Sequence, residues 1–130
     1  MSNSVLHISS AKLEYYENGL LVVTLKDDLE LTLEHIIEQR EAAFSLTGKA
    51  KHVVLAIAGQ RTSATEEARK YAASFVPEGR VAEAIIVRSL PVRLLANFYM
   101  KFHKPGLLTK LFEDDAEAIC WLEEQLSKVK

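Results

Sequence analysis

Residues 88–122, RSLPVRLLANFYMKFHKPGLLTKLFEDDAEAICWL, decide how the chain is read. Ser89 is a predicted N-cap, and Pro91 falls in the first helical turn, where its missing N–H has no intrahelical partner to lose. Leu94, Leu95, Phe98, Tyr99 and Phe102 make a broad apolar helix face, with Arg93, Asn97 and Lys101 spaced by four on the opposite stripe. Lys104-Pro105-Gly106 ends the helix, and Leu107–Phe112 reads as a short strand. Asp114 with Glu117 has the spacing of a capping box for a last helix, whose inner side is Ile119, Leu122, Leu126 and Val129. A capped helix, a strand and a second capped helix form the closing unit of an α/β sheet.

The same alternation runs upstream. Residues 1–10 are polar and read as a loosely attached lead-in, or at most an edge strand. Lys12–Glu17 alternates, Asn18-Gly19 suits a tight type I′ turn, and Leu20–Lys26 is aliphatic and β-branched, so this stretch predicts a β-hairpin. On its outer side Tyr16, Leu20 and Val22 need cover from helices, from the N-terminal segment or from a second subunit. Thr32 caps a helix over 33–47 with Leu33, Ile36, Ile37, Ala43 and Phe44 on one side and Gly48 at its end. His52–Ala58 is almost wholly apolar, as strands covered on both faces are. A loop over 59–64 leads to Thr65, the cap of a helix reaching Val76 with Ala68, Tyr71, Ala72 and Phe75 inside. Pro77-Glu78-Gly79 breaks that helix, and Ala84–Arg88 is a further strand. The predicted order is ββαβαβαβα, one domain over 1–130 with a single mixed sheet that is antiparallel at its start and parallel afterwards.

Bulk properties narrow the function classes. The 130 residues are 48% hydrophobic and 26% charged, an ordinary globular balance, and the formal charge of −2 argues against a nucleic-acid binder. One cysteine, Cys120, permits no internal disulfide. Its acidic neighbours do not favour a reactive thiolate, so a packed, inert side chain is expected. No signal-peptide pattern and no apolar run of about 20 residues is present, so the expectation is a cytoplasmic protein without a transmembrane segment.

Candidate chemistry is sparse. His7, His35, His52 and His103 have no metal-ligand spacing, and no glycine-rich loop suits a phosphate. Asp27-Asp28 and Asp114-Asp115 border predicted elements, where Asp serves turns and caps. No catalytic residue, metal or cofactor is predicted, and the expectation is a non-enzymatic protein. The distinctive cluster is the basic segment Arg88–Lys110, with five Lys/Arg and no Asp or Glu. Its aromatic stripe is expected in the core. Alternatively it lines a groove or cavity flanked by Arg93, Lys101, Lys104 and Lys110, which would attract an anionic partner.

The element order resembles the STAS fold of the anti-sigma-factor antagonists (SpoIIAA-like). The local sequence is similar to a little-characterised bacterial branch labelled STAS/SEC14-like. The matching pieces are Glu17-Asn18-Gly19, Leu25 to Asp28, Glu67 to Tyr71, Asn97-Phe98-Tyr99, Lys104-Pro105, Leu111-Phe112 and Ala118 to Leu122, in order across residues 12–126. The resemblance implies a regulatory or protein-binding module acting through the surface of the second and third helices. It places a regulatory phosphosite at Ser63 or Thr65, although the Asp and Gly of the antagonists' phosphorylation motif are missing here. The SEC14-like label implies instead a carrier of a lipid or small apolar ligand. The implied ligand or partner surface is Arg93, Asn97, Lys101, Lys104, Phe98 and Tyr99, and the partner is an unidentified protein or a second copy in a homodimer.

Overall fold

The computed structural model describes residues 3–103 and 106–129, with the side chains of Phe102 and His103 excepted. Lys104 and Pro105, expected to break the third helix, lie outside the described residues. A six-stranded sheet has the order β1-β2-β3-β5-β7-β8. Its strands are β1 (Asn3–His7), β2 (Ala11–Tyr16), β3 (Leu20–Leu25), β5 (His52–Ile57), β7 (Arg80–Ile86) and β8 (Thr109–Phe112). A separate two-residue parallel pair joins β4 (Glu30–Leu31) to β6 (Ser63–Ala64). The helices are α1 (Leu33–Thr47), α2 (Glu66–Ser74), α3 (Leu90–Phe98) and α4 (Asp115–Ser127), and one π-helical turn, Tyr99–His103, continues α3. The first three strands of the main sheet pair antiparallel, and β3, β5, β7 and β8 pair parallel, so the sheet is mixed as predicted.

Alternation along the strands divides the core into two layers. Val53 and Leu55 of β5 and Ala82, Ala84 and Ile86 of β7 meet Ala118, Leu122 and Leu126 of α4 on one face. The three α4 residues are spaced by four, which puts them on one stripe. Leu122 is fully buried, and removing such a side chain from water contributes about 1.5–3 kcal/mol. On the other face Leu13, Leu21, Val23 and Val54 pack with Ala42 and Ala43 of α1. Leu20 and Val22 pack against the α4 cluster, so a helix supplies the cover they need.

Several expectations are corrected. Asn3–His7 is not a loose lead-in but an edge strand paired with β2. The hairpin turn is not type I′: Gly19 N–H reaches Tyr16 O at 3.0 Å, and Gly19 alone among Glu17, Asn18 and Gly19 has a positive φ, 93°. A turn centred on Glu17 and Asn18 and closed by a left-handed glycine is the three-residue alternative. The loop over 59–64 contains β6, α2 stops at Ser74, β7 begins at Arg80, and β8 begins at Thr109. Phe44 and Val129 are exposed rather than core, and Cys120 is exposed rather than packed. Asp114 accepts from Glu117 N–H at 2.9 Å, the forward half of a capping box; the complete box is at α1, between Thr32 and His35.

Candidate functional site

Between the sheet and the three helices α1–α3 lies a cavity of about 260 Å³. Its floor includes Val54 and Ala56 of β5 and Glu83 and Ile85 of β7, and its roof includes Ile36 of α1, Ala68 and Ala72 of α2, and Leu95 and Ala96 of α3. Here small side chains on both sides, Ala56, Ala68, Ala72 and Ala96 among them, leave the space unfilled. A second crevice of about 490 Å³ adjoins it past Arg40 and Arg80, along Phe44, Phe75 and Val76.

Among the described residues, four charged side chains line the cavity: Arg40, Arg69, Arg80 and Glu83. Glu83 belongs to the alternate set of β7 residues that faces away from α4, so the strand itself carries a carboxylate inward. The Arg80 and Glu83 side chains keep only 14% and 24% of their accessible surface, and Arg80 Nη1 stands 3.7 Å from Glu83 Oε1. Burial raises the Glu83 carboxyl above the usual carboxylate range, with the Arg80 charge opposing the shift. Burial also lowers the Arg80 guanidinium, against the attraction of Glu83. The Tyr99 phenol is raised, first by burial and then by the Glu83 charge.

Hydrogen bonds anchor this group from both ends. Arg80 Nε donates to His52 Nε2 at 3.3 Å, and His52 Nδ1 lies 2.9 Å from Ala50 O. Arg40 donates to the Tyr71 hydroxyl, and its guanidinium lies 4.5 Å from the centre of the Phe75 ring, which stacks on Tyr71. Arg69 donates through Nη1 to Ala64 O, and its guanidinium carbon lies 5.6 Å from the Phe98 ring centre. Arg69 Nε is buried and has no hydrogen-bond partner.

The residues singled out from sequence are dispersed. Ser63 and Tyr99 line the cavity. The Thr65 hydroxyl caps α2, accepting from Ala68 N–H at 3.1 Å, with Glu66 and Glu67 in the first turn. Arg93 pairs with Glu113, Arg88 with Asp115, and Asn97 and Lys101 are exposed. Lys110 sits 5.2 Å from the Phe112 ring centre. Lys104 lies outside the described residues. The aromatic stripe of α3 is not uniformly core: Leu95 and Tyr99 face the cavity, whereas Leu90, Leu94 and Phe98 keep 65%, 60% and 44% of their surface.

Arg40, Arg69, Arg80 and Glu83 were not singled out from sequence. The available signal was Glu83 itself, a charge inside the apolar run Val81 to Ile86; starting the strand at Ala84 hid it. Asp27 and Asp28 serve loops, as expected. Asp27 accepts from Gln60 N–H at 2.7 Å, and Asp28 binds the Arg61 guanidinium, with Nη2 at 3.0 Å from Oδ2. The Arg61 hydrogen bond lowers the Asp28 carboxyl. Among the described residues no three His, Cys, Asp or Glu side chains gather as metal ligands do, and no helix is long and apolar enough to cross a membrane.

The fold is similar to that of an uncharacterised DUF3478-family protein with a SpoIIAA-like fold from Shewanella loihica PV-4. The match has a TM-score of 0.52, 17% identity, and coverage of 93% of this chain and 92% of that one. At that identity the likeness establishes the fold alone, and it is the SpoIIAA-like fold expected from the order of elements. No curated protein matches. The family model described as Domain of unknown function (DUF7793) matches residues 14–126, and the chain belongs to that family.

Proposed function

We propose that this STAS-like domain is a non-enzymatic binding module that takes a small, mainly apolar ligand into the cavity between the sheet and α1–α3. The observation that carries this reading is the cavity of about 260 Å³, walled by alanine, valine and leucine side chains with a few polar groups among them. Ligand sites have this make-up, an apolar lining with sparse polar groups that fix orientation. A ligand seated between the two walls would gain dispersion contacts with both. Asp27, Asp28, Asp114 and Thr65 serve pairs and caps, and Glu83, the carboxylate at the cavity, faces the Arg80 guanidinium, an arrangement we read as binding rather than catalytic. Mass spectrometry under native conditions on gently purified protein tests the proposal, alongside titration with an apolar fluorescent probe. A bound species or saturable uptake is expected, and Ala72→Leu with Ala96→Leu abolishes it by filling the space. The absence of both signals in the native protein overturns the reading.

A second reading is a regulatory module that binds another protein, or a second copy of itself, through α2 and α3. Its support is the row Leu90, Leu94 and Phe98, spaced by four on α3 and exposed. Light scattering over a range of concentrations and cross-linking of Leu94→Asp against the native protein test it. Loss of an association on substitution is expected; a concentration-independent monomer without any cross-linked partner counts against it.

A further inference from the structure

The outer edge of the main sheet is β1, and the backbone groups it turns outward can be assigned. Ile8 N–H donates to Ala11 O at 3.0 Å, and these two residues continue the register that sets Leu6 against Leu13 and Ser4 against Tyr15. In an antiparallel ladder, pairs that exchange hydrogen bonds alternate with pairs that do not. Ser4, Leu6 and Ile8 therefore bond to β2. The far side of β2 agrees: Lys26 N–H donates to Ser10 O, which puts the even-numbered residues of β2 on the β3 ladder. Asn3, Val5 and His7 are left with N–H and C=O groups that point out of the sheet.

Natural edges are commonly blunted by lysine, proline or a bulge. Among the described residues, β1 has none of these, and it pairs with β2 along Asn3–His7 without a shift in register. Val5, at its centre, keeps 46% of its surface. The opposite edge, β8, is shorter and carries the exposed Lys110.

The three open residues are symmetric about Val5, and that symmetry selects the occupant. We propose that this edge is a dimer interface, in which β1 of a second copy pairs antiparallel about a two-fold axis at Val5. Val5 then faces Val5 of the partner subunit, and Asn3 faces His7 of the partner subunit. Each is a hydrogen-bonded pair, roughly six new backbone bonds in all. On the other face Leu6, packed with the α1 layer, meets Ser4 of the partner subunit. No like charges come opposite each other. The nearest charges, Lys12 and Glu14 of β2, pair at 3.7 Å within each copy. A two-fold axis normal to the sheet keeps both α1 helices on one face and both α4 helices on the other, so one sheet runs through the pair. The interface is separate from the cavity and from the exposed row on α3.

A single strand a side is a small interface, so sedimentation velocity over about 50 μM to 1 mM suits the weak association expected. Dimer should accumulate across that range. Amide exchange followed by NMR should slow several-fold with concentration at Val5 and His7, while Leu6, already bonded to β2, is slow throughout. Val5→Glu puts a carboxylate beside Glu14 and against its own copy across the axis, and is expected to abolish the dimer. Val5→Pro removes an outward N–H without taking a bond from β2, and should do the same. Leu94→Asp should leave the dimer intact. A monomer at every concentration, or a dimer that survives both Val5 variants, overturns the inference. So does loss of the dimer in Leu94→Asp, which moves the interface to α3. Slow exchange at Val5 and His7 at every concentration also overturns it, because the edge is then covered within one chain. Should Val5→Pro fail to fold, Val5→Glu and the exchange pattern of the native protein decide.

Discussion

His52 Nε2 accepts a hydrogen bond from Arg80 Nε at 3.3 Å while His52 Nδ1 donates to Ala50 O at 2.9 Å. These two bonds fit one neutral tautomer, with the proton on Nδ1 and the lone pair on Nε2. A second proton would place an N–H against a guanidinium.

The consequence is acid sensitivity. Burial holds the His52 pKa below its ordinary 6.5, the Arg80 charge adds to this, and the Ala50 bond opposes it. A depressed folded pKa means that the unfolded chain takes up the proton first. The contribution to stability is full above the ordinary value and falls away as the pH drops through the folded value. Urea unfolding between about pH 5 and pH 8 should show this decline, and His52→Gln, a neutral acceptor, should flatten it. An unchanged slope in the variant refutes the assignment.

Gly79 should tolerate no side chain. Its φ is 84°, and a Cβ there would lie 2.3 Å from Ala50 O and 2.8 Å from Lys49 O, both backbone atoms. Gly79 O also accepts His52 N–H at 2.9 Å, so a shift here disturbs the start of β5. Gly79→Ala is expected to destabilise the domain by about 3 kcal/mol or more, measured by chemical denaturation. Gly48→Ala, with a positive φ of 57° but open space around it, should cost less, because backbone strain remains and the clash does not.

Leu122→Ala should lower stability by about 2–5 kcal/mol, because the cluster of β5, β7 and α4 cannot close over the gap. The same substitution at Leu94, on the exposed side of α3, is expected to change stability by less than about 0.5 kcal/mol.

Thr65→Ala should cost about 1 kcal/mol by removing the acceptor for Ala68 N–H. Thr65→Asp, which also caps helices well, should retain most of that stability in thermal unfolding. Equal loss in both variants would show that Thr65 acts through something other than its cap.

The parts of the fold legible in sequence are those set by local chemistry. Thr32, Thr65, Ser89 and Asp114 each cap the helix they were expected to cap, and the uniform apolar run of β5 marks a strand covered on both faces. The cavity was legible only as an alternative for the α3 stripe, because most of it is made by small residues from separate elements meeting across space. Ala56, Ala72 and Ala96 are unremarkable in their own segments. The mixed face of α3 was misread for a related reason. Helical spacing groups Leu94 with Leu95, but only the side bearing Leu95 and Tyr99 turns to the cavity. The surplus of basic residues over 88–110 drew notice in sequence, yet Arg88 and Arg93 are met by Asp115 and Glu113 just beyond it.

The bond between Asp28 and Arg61 links the loops after β3 and β5, and both residues have positive φ, 56° and 58°. The segment that follows Arg61 carries Thr62 and Ser63 to the cavity and holds β6 against β4. The conformational freedom of this rim is therefore lost when the chain folds, not when a ligand arrives. A guest would meet a preorganised edge, and its affinity would be less eroded by the ordering of loops.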